Sequence, residues 1–345
     1  MRKGASLFFT VLRVAIGIAL LVYLGRSGMI EWSALMGLLR AWPVTALAFA
    51  LLLVDIGVTA WRLCVLLPPL GFHLTVWAST KLMLIGLFFN SCLPGSTGGD
   101  VIKIYYASAG HRGRRMEVAT IILFDRVIGM LALMVWPLLA APFFLPLVAR
   151  LPVLQALLWG AGVMALAILA GLVVSFSEGL RRSAILGWLL DRLPFGRYAE
   201  RVFDTVHEYR RHKGAVVAAT LISLVAHSMS AGITLLAAYA TNPEGAAWEM
   251  LVLIPLGHLA NVAPLTPGGL GVGEAAFNQL FALAGLRGGA EALLGWRLLT
   301  ILCGLVGLVF YLRGRQQYVH AAEQAAEPGD AHKIEGPATP PGPGP

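Results

Sequence analysis

The chain has 345 residues, 58% of them hydrophobic and only 13% charged, with a formal net charge of +8. A soluble domain carries about 25% charged residues, and the mean hydropathy here is +0.76. The composition excludes a soluble core with a simple anchor and marks one all-α integral membrane domain.

Met1, Arg2 and Lys3 followed by the apolar run 5–24 resemble a signal peptide. No small-x-small cleavage site follows, only Tyr23-Leu24-Gly25-Arg26, so an uncleaved first span is expected. Further apolar stretches of about 20 residues, enough to cross a bilayer, lie at 43–61, 116–139, 153–176, 214–240 and 291–312. Two shorter ones, near 76–93 and 248–263, end at matching motifs.

The first motif reads Leu93-Pro94-Gly95-Ser96-Thr97-Gly98-Gly99, the second Ala263-Pro264-Leu265-Thr266-Pro267-Gly268-Gly269. At an offset of 170 residues, Pro meets Pro, Ser meets Thr, and Gly-Gly meets Gly-Gly. Asn90 and Asn261 precede them, and the acids Asp100 and Glu274 follow. Broken apolar segments in corresponding positions of two halves point to a transporter's substrate site. Pro-Gly clusters as ordinary loops between spans are the plainer alternative.

Positive residues gather in cytoplasmic loops. If 76–108 and 248–285 each dip into the membrane and return, only Arg26, Arg40, Arg150 and Arg287 fall outside, with the N-terminus inside. Full crossings leave more cations outside, so the re-entrant path is preferred. It gives about six full spans plus two broken-helix hairpins entering from opposite faces, an inverted repeat. Both termini are then cytoplasmic and the expected location is the plasma (inner) membrane. Irregular backbone at that depth must be buried in protein or line water.

The polar interval 177–213 is basic and cytoplasmic on this path. Tyr198, Val202, Val206 and Tyr209 recur there at helical spacing, which fits an amphipathic helix on the anionic inner leaflet or a solvated charged loop. The Pro-, Gly- and Ala-rich segment 316–345 is expected to be a disordered tail.

Ionisable residues inside a membrane are costly and mark function by default. Asp125 and Arg126 lie mid-span, Arg297 lies in the last span, and Asp55 in the second. As helical neighbours, Asp125 and Arg126 diverge and need partners on other segments. Arg126 and Arg297 are either paired elements of a central polar cavity or members of structural pairs, such as Asp125 with Arg297 or Asp55 with Arg13. His227 and His258 are expected to be hydrogen-bonded packing residues.

Gly98-Gly99 and Gly268-Gly269 stand before helical stretches starting near Val101 and Gly271, so their N–H groups are expected to be open to an anion. Lys103 adds charge, and Ser96, Thr97 and Thr266 add hydroxyls. Phosphate, met in a membrane mostly as a lipid head group, is the expected guest. Gly269-Leu270-Gly271-Val272-Gly273-Glu274 lacks the third glycine and the preceding strand of a dinucleotide loop, and no phosphate-binding GxxxxGK[ST] loop exists. Cys64, Cys92 and Cys303 are isolated. No cofactor, metal, nucleic acid or catalytic constellation is expected.

At Asn90-Ser91-Cys92-Leu93-Pro94-Gly95-Ser96-Thr97-Gly98-Gly99-Asp100, Phe124-Asp125-Arg126, Pro264 to Glu274 and Trp296-Arg297, the chain resembles the membrane region of lysylphosphatidylglycerol synthases and their stand-alone flippase-like relatives. The resemblance covers about 1–315 and includes branches linked to hopanoid, isoprenoid-linked sugar and aminoacyl-lipid pathways. In the synthases a soluble aminoacyl-transfer domain follows, whereas here only the tail does. The resemblance thus implies movement of a phosphate-bearing polar or isoprenoid-type lipid between leaflets. A non-transporting membrane partner of a lipid- or glycan-modifying enzyme is the alternative, with 177–213 as its docking surface.

Overall fold

The computed structural model describes residues 35–92, 98–108, 114–181, 196–260, 266 and 269–326, with positions 22 and 26. All regular structure among them is helical. Five helices are long and apolar enough to cross a membrane. They are α1 (Trp42–Leu66), α4 (Arg115–Ala140), α5 (Pro152–Ser175), α7 (Lys213–Thr241) and α10 (Gly289–Ala326). The remaining longer helices are α2 (Val76–Cys92), α3 (Gly98–Ala107), α6 (Gly196–Glu208), α8 (Met250–Ala260) and α9 (Val272–Leu283). The first span expected at 5–24 lies outside the described residues.

Local sequence sets several of these boundaries. Pro43 and Pro152 sit in the first turns of α1 and α5, where a missing N–H costs nothing. Helix α2 stops at Cys92, two residues before Pro94, and a residue preceding proline is biased away from helix. Pro137 lies inside α4, and soon after it the helix gives way to a 3-10 turn at Ala141–Phe144.

Burial sorts the spans. In the apolar window of α4, 61% of residues are buried, against 22% in α5. Helix α4 is therefore central and α5 peripheral, and α5 turns Trp159, Val163 and Leu166 outward. Lipid solvates such a face as well as protein would, so nothing drives it inward.

Helix α7 packs against α1, α4, α8 and α10. Its His227 Nε2 lies 2.9 Å from the Gly129 carbonyl of α4, and Ser228 accepts the indole N–H of Trp136. His258 of α8 stands among rings as a packing residue, 5.2 Å from Phe277 and 5.0 Å from Trp296 between centroids.

The two broken segments exchange partners. Helix α2, the first arm of the first segment, packs on α10 of the second half. Helix α8, the first arm of the second segment, packs on α4 of the first half. Each second arm stays at home, α3 against α4 and α9 against α10. The α2–α10 contact is backbone-close, since a Cβ at Gly307 would stand 2.1 Å from the Leu84 carbonyl oxygen.

Of the two readings of 177–213, a helix forms over 196–208 as α6; it packs against α4 and α5, and its Thr205 and His207 are buried. Tyr209 just beyond it is fully buried, stacked on Phe124 at 4.5 Å, with its hydroxyl donating to the Leu66 carbonyl at 2.6 Å. A buried phenol needs such an acceptor, and the end of α1 supplies it. Residues 316–326, expected as the start of a disordered tail, are helical, because α10 runs on to Ala326. Residues 316–326 are mainly Gln, Ala and Glu, strong helix formers, and the first Pro-Gly pair is Pro328-Gly329. Residues 327–345 lie outside the described residues.

Candidate functional site

The expected site residues fall into two matching groups and one outlier. In the first group α2 ends with Asn90, and α3 opens with Gly98, Gly99 and Asp100. The Gly99 N–H donates to Asn90 Oδ1 at 2.8 Å. A Cβ at Gly99 would meet the Gly86 carbonyl oxygen at 2.1 Å, so this glycine lets α3 close onto α2. Gly99 therefore does not present a free N–H to an anion, as its position at a helix start implied. Asn90 reaches back across the break and takes that donor.

The charge in this group lies one residue further on. Asp100 receives Lys103 Nζ on Oδ1 at 3.2 Å and Arg126 Nη1 on Oδ2 at 2.6 Å. Asp100 is the only ionic partner of Arg126 among the described residues. The Arg126 side chain is 35% exposed and that of Asp100 21%. Two cations thus share one carboxylate at a place that a ligand can reach.

The second group repeats the pairing with another outcome. Arg297 Nε of α10 lies 2.8 Å from Glu274 Oε1, and the two side chains are 12% and 0% exposed. The other carboxylate oxygen, Oε2, accepts the Gly271 N–H at 2.6 Å and so caps α9. Gly271 has φ 79°, a left-handed conformation that glycine adopts without strain. The Gly269 N–H is taken by the Thr266 carbonyl at 3.1 Å, and the Thr266 hydroxyl donates to the Leu270 carbonyl at 2.8 Å. The Gly271 and Gly269 N–H groups and the Thr266 hydroxyl are all consumed internally. In each half, then, the acid following the motif pairs with an arginine of the next long helix, but the first pair is reachable and the second sealed. Ser96, Thr97 and Gly268 lie outside the described residues.

Asp125 belongs to neither group. Its two oxygens accept Arg62 Nε at 2.6 Å and Nη2 at 2.8 Å, a bidentate pair, and Arg62 Nη1 donates to Ser223 Oγ at 3.0 Å. One guanidinium thereby ties α1, α4 and α7 together. Asp125 is thus paired with neither Arg297 nor Arg126, and sequence reading missed Arg62, which looked like the first loop residue after a span. Leu63, Val65 and Leu66 continue the apolar run past it, and that was the available signal.

Next to this node α1, α4 and α7 line an open cavity of about 290 Å³. Asp55, Thr59 and Arg62 line it from α1, Arg126, Gly129, Met130 and Leu133 from α4, and Ala226, His227 and Ser230 from α7. Arg126 therefore faces Asp100 on one side and the cavity on the other. Arg297 is not among the residues that line this cavity.

No curated protein and no solved structure matches the chain. One family model, described as "Lysylphosphatidylglycerol synthase TM region", matches residues 10–307 and so takes in both motifs, both arginine–acid pairs and the cavity. This multi-pass membrane protein belongs to the lysylphosphatidylglycerol synthase transmembrane-region family.

Proposed function

We propose that the protein moves a phosphate-bearing polar lipid between the leaflets of the plasma membrane, with Lys103 and Arg126 as its head-group contacts. One observation carries this reading: Asp100 is shared by two cations, which leaves one positive charge without its own ion-pair partner among the described residues, beside a cavity in an apolar bundle. An unneutralised charge there is expensive, and a lipid phosphate supplies the missing negative charge. Arg126 spends only Nη1 on Asp100 and retains further planar donors for phosphate oxygens. Lys103 adds a point charge from one turn along α3. The family's name, that of a lipid-modifying synthase's membrane region, supports a lipid as the ligand. In this reading the chain is a translocase and not an enzyme.

The exchange of first arms between the halves supports two re-entrant hairpins, one from each face. The charge distribution supports cytoplasmic termini, with α6 on the cytoplasmic side. The alternative, a non-transporting partner of a lipid-modifying enzyme, draws on α6. That helix is fixed to the bundle by its buried face while Arg201 stays exposed.

The test is reconstitution into liposomes with a fluorescent head-group-labelled phospholipid, scoring the fraction that an impermeant quencher reaches over time. Protein-dependent exchange that is lost in Arg126→Ala, with the variant still purifying as a folded species, is the expected result. An absence of exchange by the wild type, or full exchange by an Arg126→Ala, Lys103→Ala double variant, refutes it.

A further inference from the structure

The cavity between α1, α4 and α7 contains a carboxylate that the lipid site does not use. Asp55 lies one and two turns from Thr59 and Arg62, so all three project from one face of α1 into the cavity. Its Oδ1 is buried without a hydrogen-bond partner. The neighbouring cations are engaged elsewhere: Arg62 holds Asp125 with two bonds and Ser223 with a third, and Arg126 holds Asp100. Asp55 makes no ion pair among the described residues, and Arg13, its partner on one sequence reading, lies outside them. The charged and titratable groups lining the cavity with it are Arg62 on its own helix, Arg126 on α4 and His227 on α7. Helices α2 and α10 also pack against α1 but contribute none to this lining.

His227 completes the set. One ring nitrogen, Nε2, lies 2.9 Å from the Gly129 carbonyl, which can only accept, so Nε2 carries the hydrogen. The other, Nδ1, retains its lone pair and can relay a proton. A carboxyl and an imidazole on facing helices of a membrane cavity are the parts of a proton pathway.

We propose that Asp55 is a proton-binding site coupled to the lipid phosphate at Arg126, so that one proton and one anionic lipid move together. This rests on the translocation reading. The physical link is charge: Asp55 and Arg126 line the same cavity, so an ionised Asp55 and a phosphate held at Arg126 repel each other. A proton on Asp55 removes that repulsion, so proton and phosphate favour each other's binding, and linkage makes the effect reciprocal. The proton binds to an Asp55 oxygen on the acidic side and leaves from it on the alkaline side. Only O–H at Asp55 and N–H at His227 are formed and broken, and a singly charged lipid makes the cycle electroneutral.

The experiment uses phosphatidylcholine vesicles carrying a trace of phosphatidylethanolamine labelled on its amine, whose phosphate then bears the net charge. The membrane potential is clamped with potassium and valinomycin, a pH step is imposed, and dithionite reports the leaflet ratio. For one proton per lipid, a one-unit step drives the ratio up to about tenfold toward the leaflet on the alkaline side. Asp55→Asn, which keeps shape and removes titration, should still exchange the probe while the gradient leaves its ratio at unity. Asp55→Glu should keep the response. Wild-type exchange indifferent to the gradient overturns the coupling and leaves translocation standing, whereas no exchange at all overturns translocation itself. An Asp55→Asn protein that still follows the gradient overturns the assignment to Asp55. If that variant does not fold, the wild-type response decides, since Asp55 is the only carboxyl group among the described residues that line the cavity.

Discussion

Removing Arg62 should be among the most damaging losses of a single charge outside the proposed site. The guanidinium and the Asp125 carboxylate are 10% and 9% exposed, joined by bonds of 2.6 and 2.8 Å. At an effective dielectric of about 20, charges ~2.7 Å apart attract by roughly 6 kcal/mol before desolvation is counted. Desolvation cancels much of this, so the net value of the pair is modest. Breaking it from one side is another matter, because Arg62→Ala strands a buried carboxylate and should cost about 3–5 kcal/mol. Asp125→Ala should cost a similar amount by stranding the guanidinium. The double variant Arg62→Met, Asp125→Leu leaves no charge behind and should recover most of the loss, giving a coupling energy of at least about 2 kcal/mol. Reversible unfolding in mixed micelles, followed by helical circular dichroism, measures all four corners of this cycle. A coupling below about 1 kcal/mol, the range of an exposed pair, would refute the view that this guanidinium is the strut joining α1, α4 and α7.

Gly99→Val should drive α3 off α2, because even its Cβ would sit 2.1 Å from the Gly86 carbonyl oxygen, and the folded yield should fall by more than the about 1–3 kcal/mol usual for overpacking implies. Arg126→Ala and Arg297→Ala should part company in a thermal-stability assay. The first leaves Asp100 still paired with Lys103 and should melt near the wild type, whereas the second strands a fully buried Glu274 and should lose about 3–5 kcal/mol. Equal melting temperatures would contradict this. In a cysteine-free background, single cysteines at Arg115 and Arg201 should resist an impermeant thiol reagent in intact cells and one at Pro152 should react; labelling at Arg115 would overturn the re-entrant path of the first segment.

The apolar spans could be read from the sequence because a bilayer imposes its thickness on composition. Boundaries were less legible where a charge is paired inside the bundle: Arg62 looked like the start of a loop because its partner lies 63 residues away on another helix. The repeated motifs were visible as spacing, and so were the acid and arginine that follow each. That the acid and arginine of each half would pair with one another was not visible, since helical geometry sets only the direction of a side chain and tertiary packing sets what it meets. The glycine N–H groups show the converse. A helix start next to Gly-Gly reads as an open anion cradle, yet Asn90 folds back and occupies the Gly99 donor. The length of α10 was underestimated because the low hydropathy of 316–326 hid its helix-forming composition.

The exchange of first arms between the halves has a consequence for how the protein is made. Helix α2 leaves the ribosome more than 200 residues before the α10 segment against which it packs. Until α10 is inserted, that arm must be kept in the membrane by α1 and α3 alone, with Leu84 and its neighbours lacking their final contact. The first half therefore cannot reach its finished form during synthesis, and completion of the fold waits for the last helix. A chain interrupted before α10 should be recognised as incomplete even though both motifs and four of the five long spans among the described residues are already present. Quality control in the membrane would then act on α10 docking, the single event that closes both halves at once.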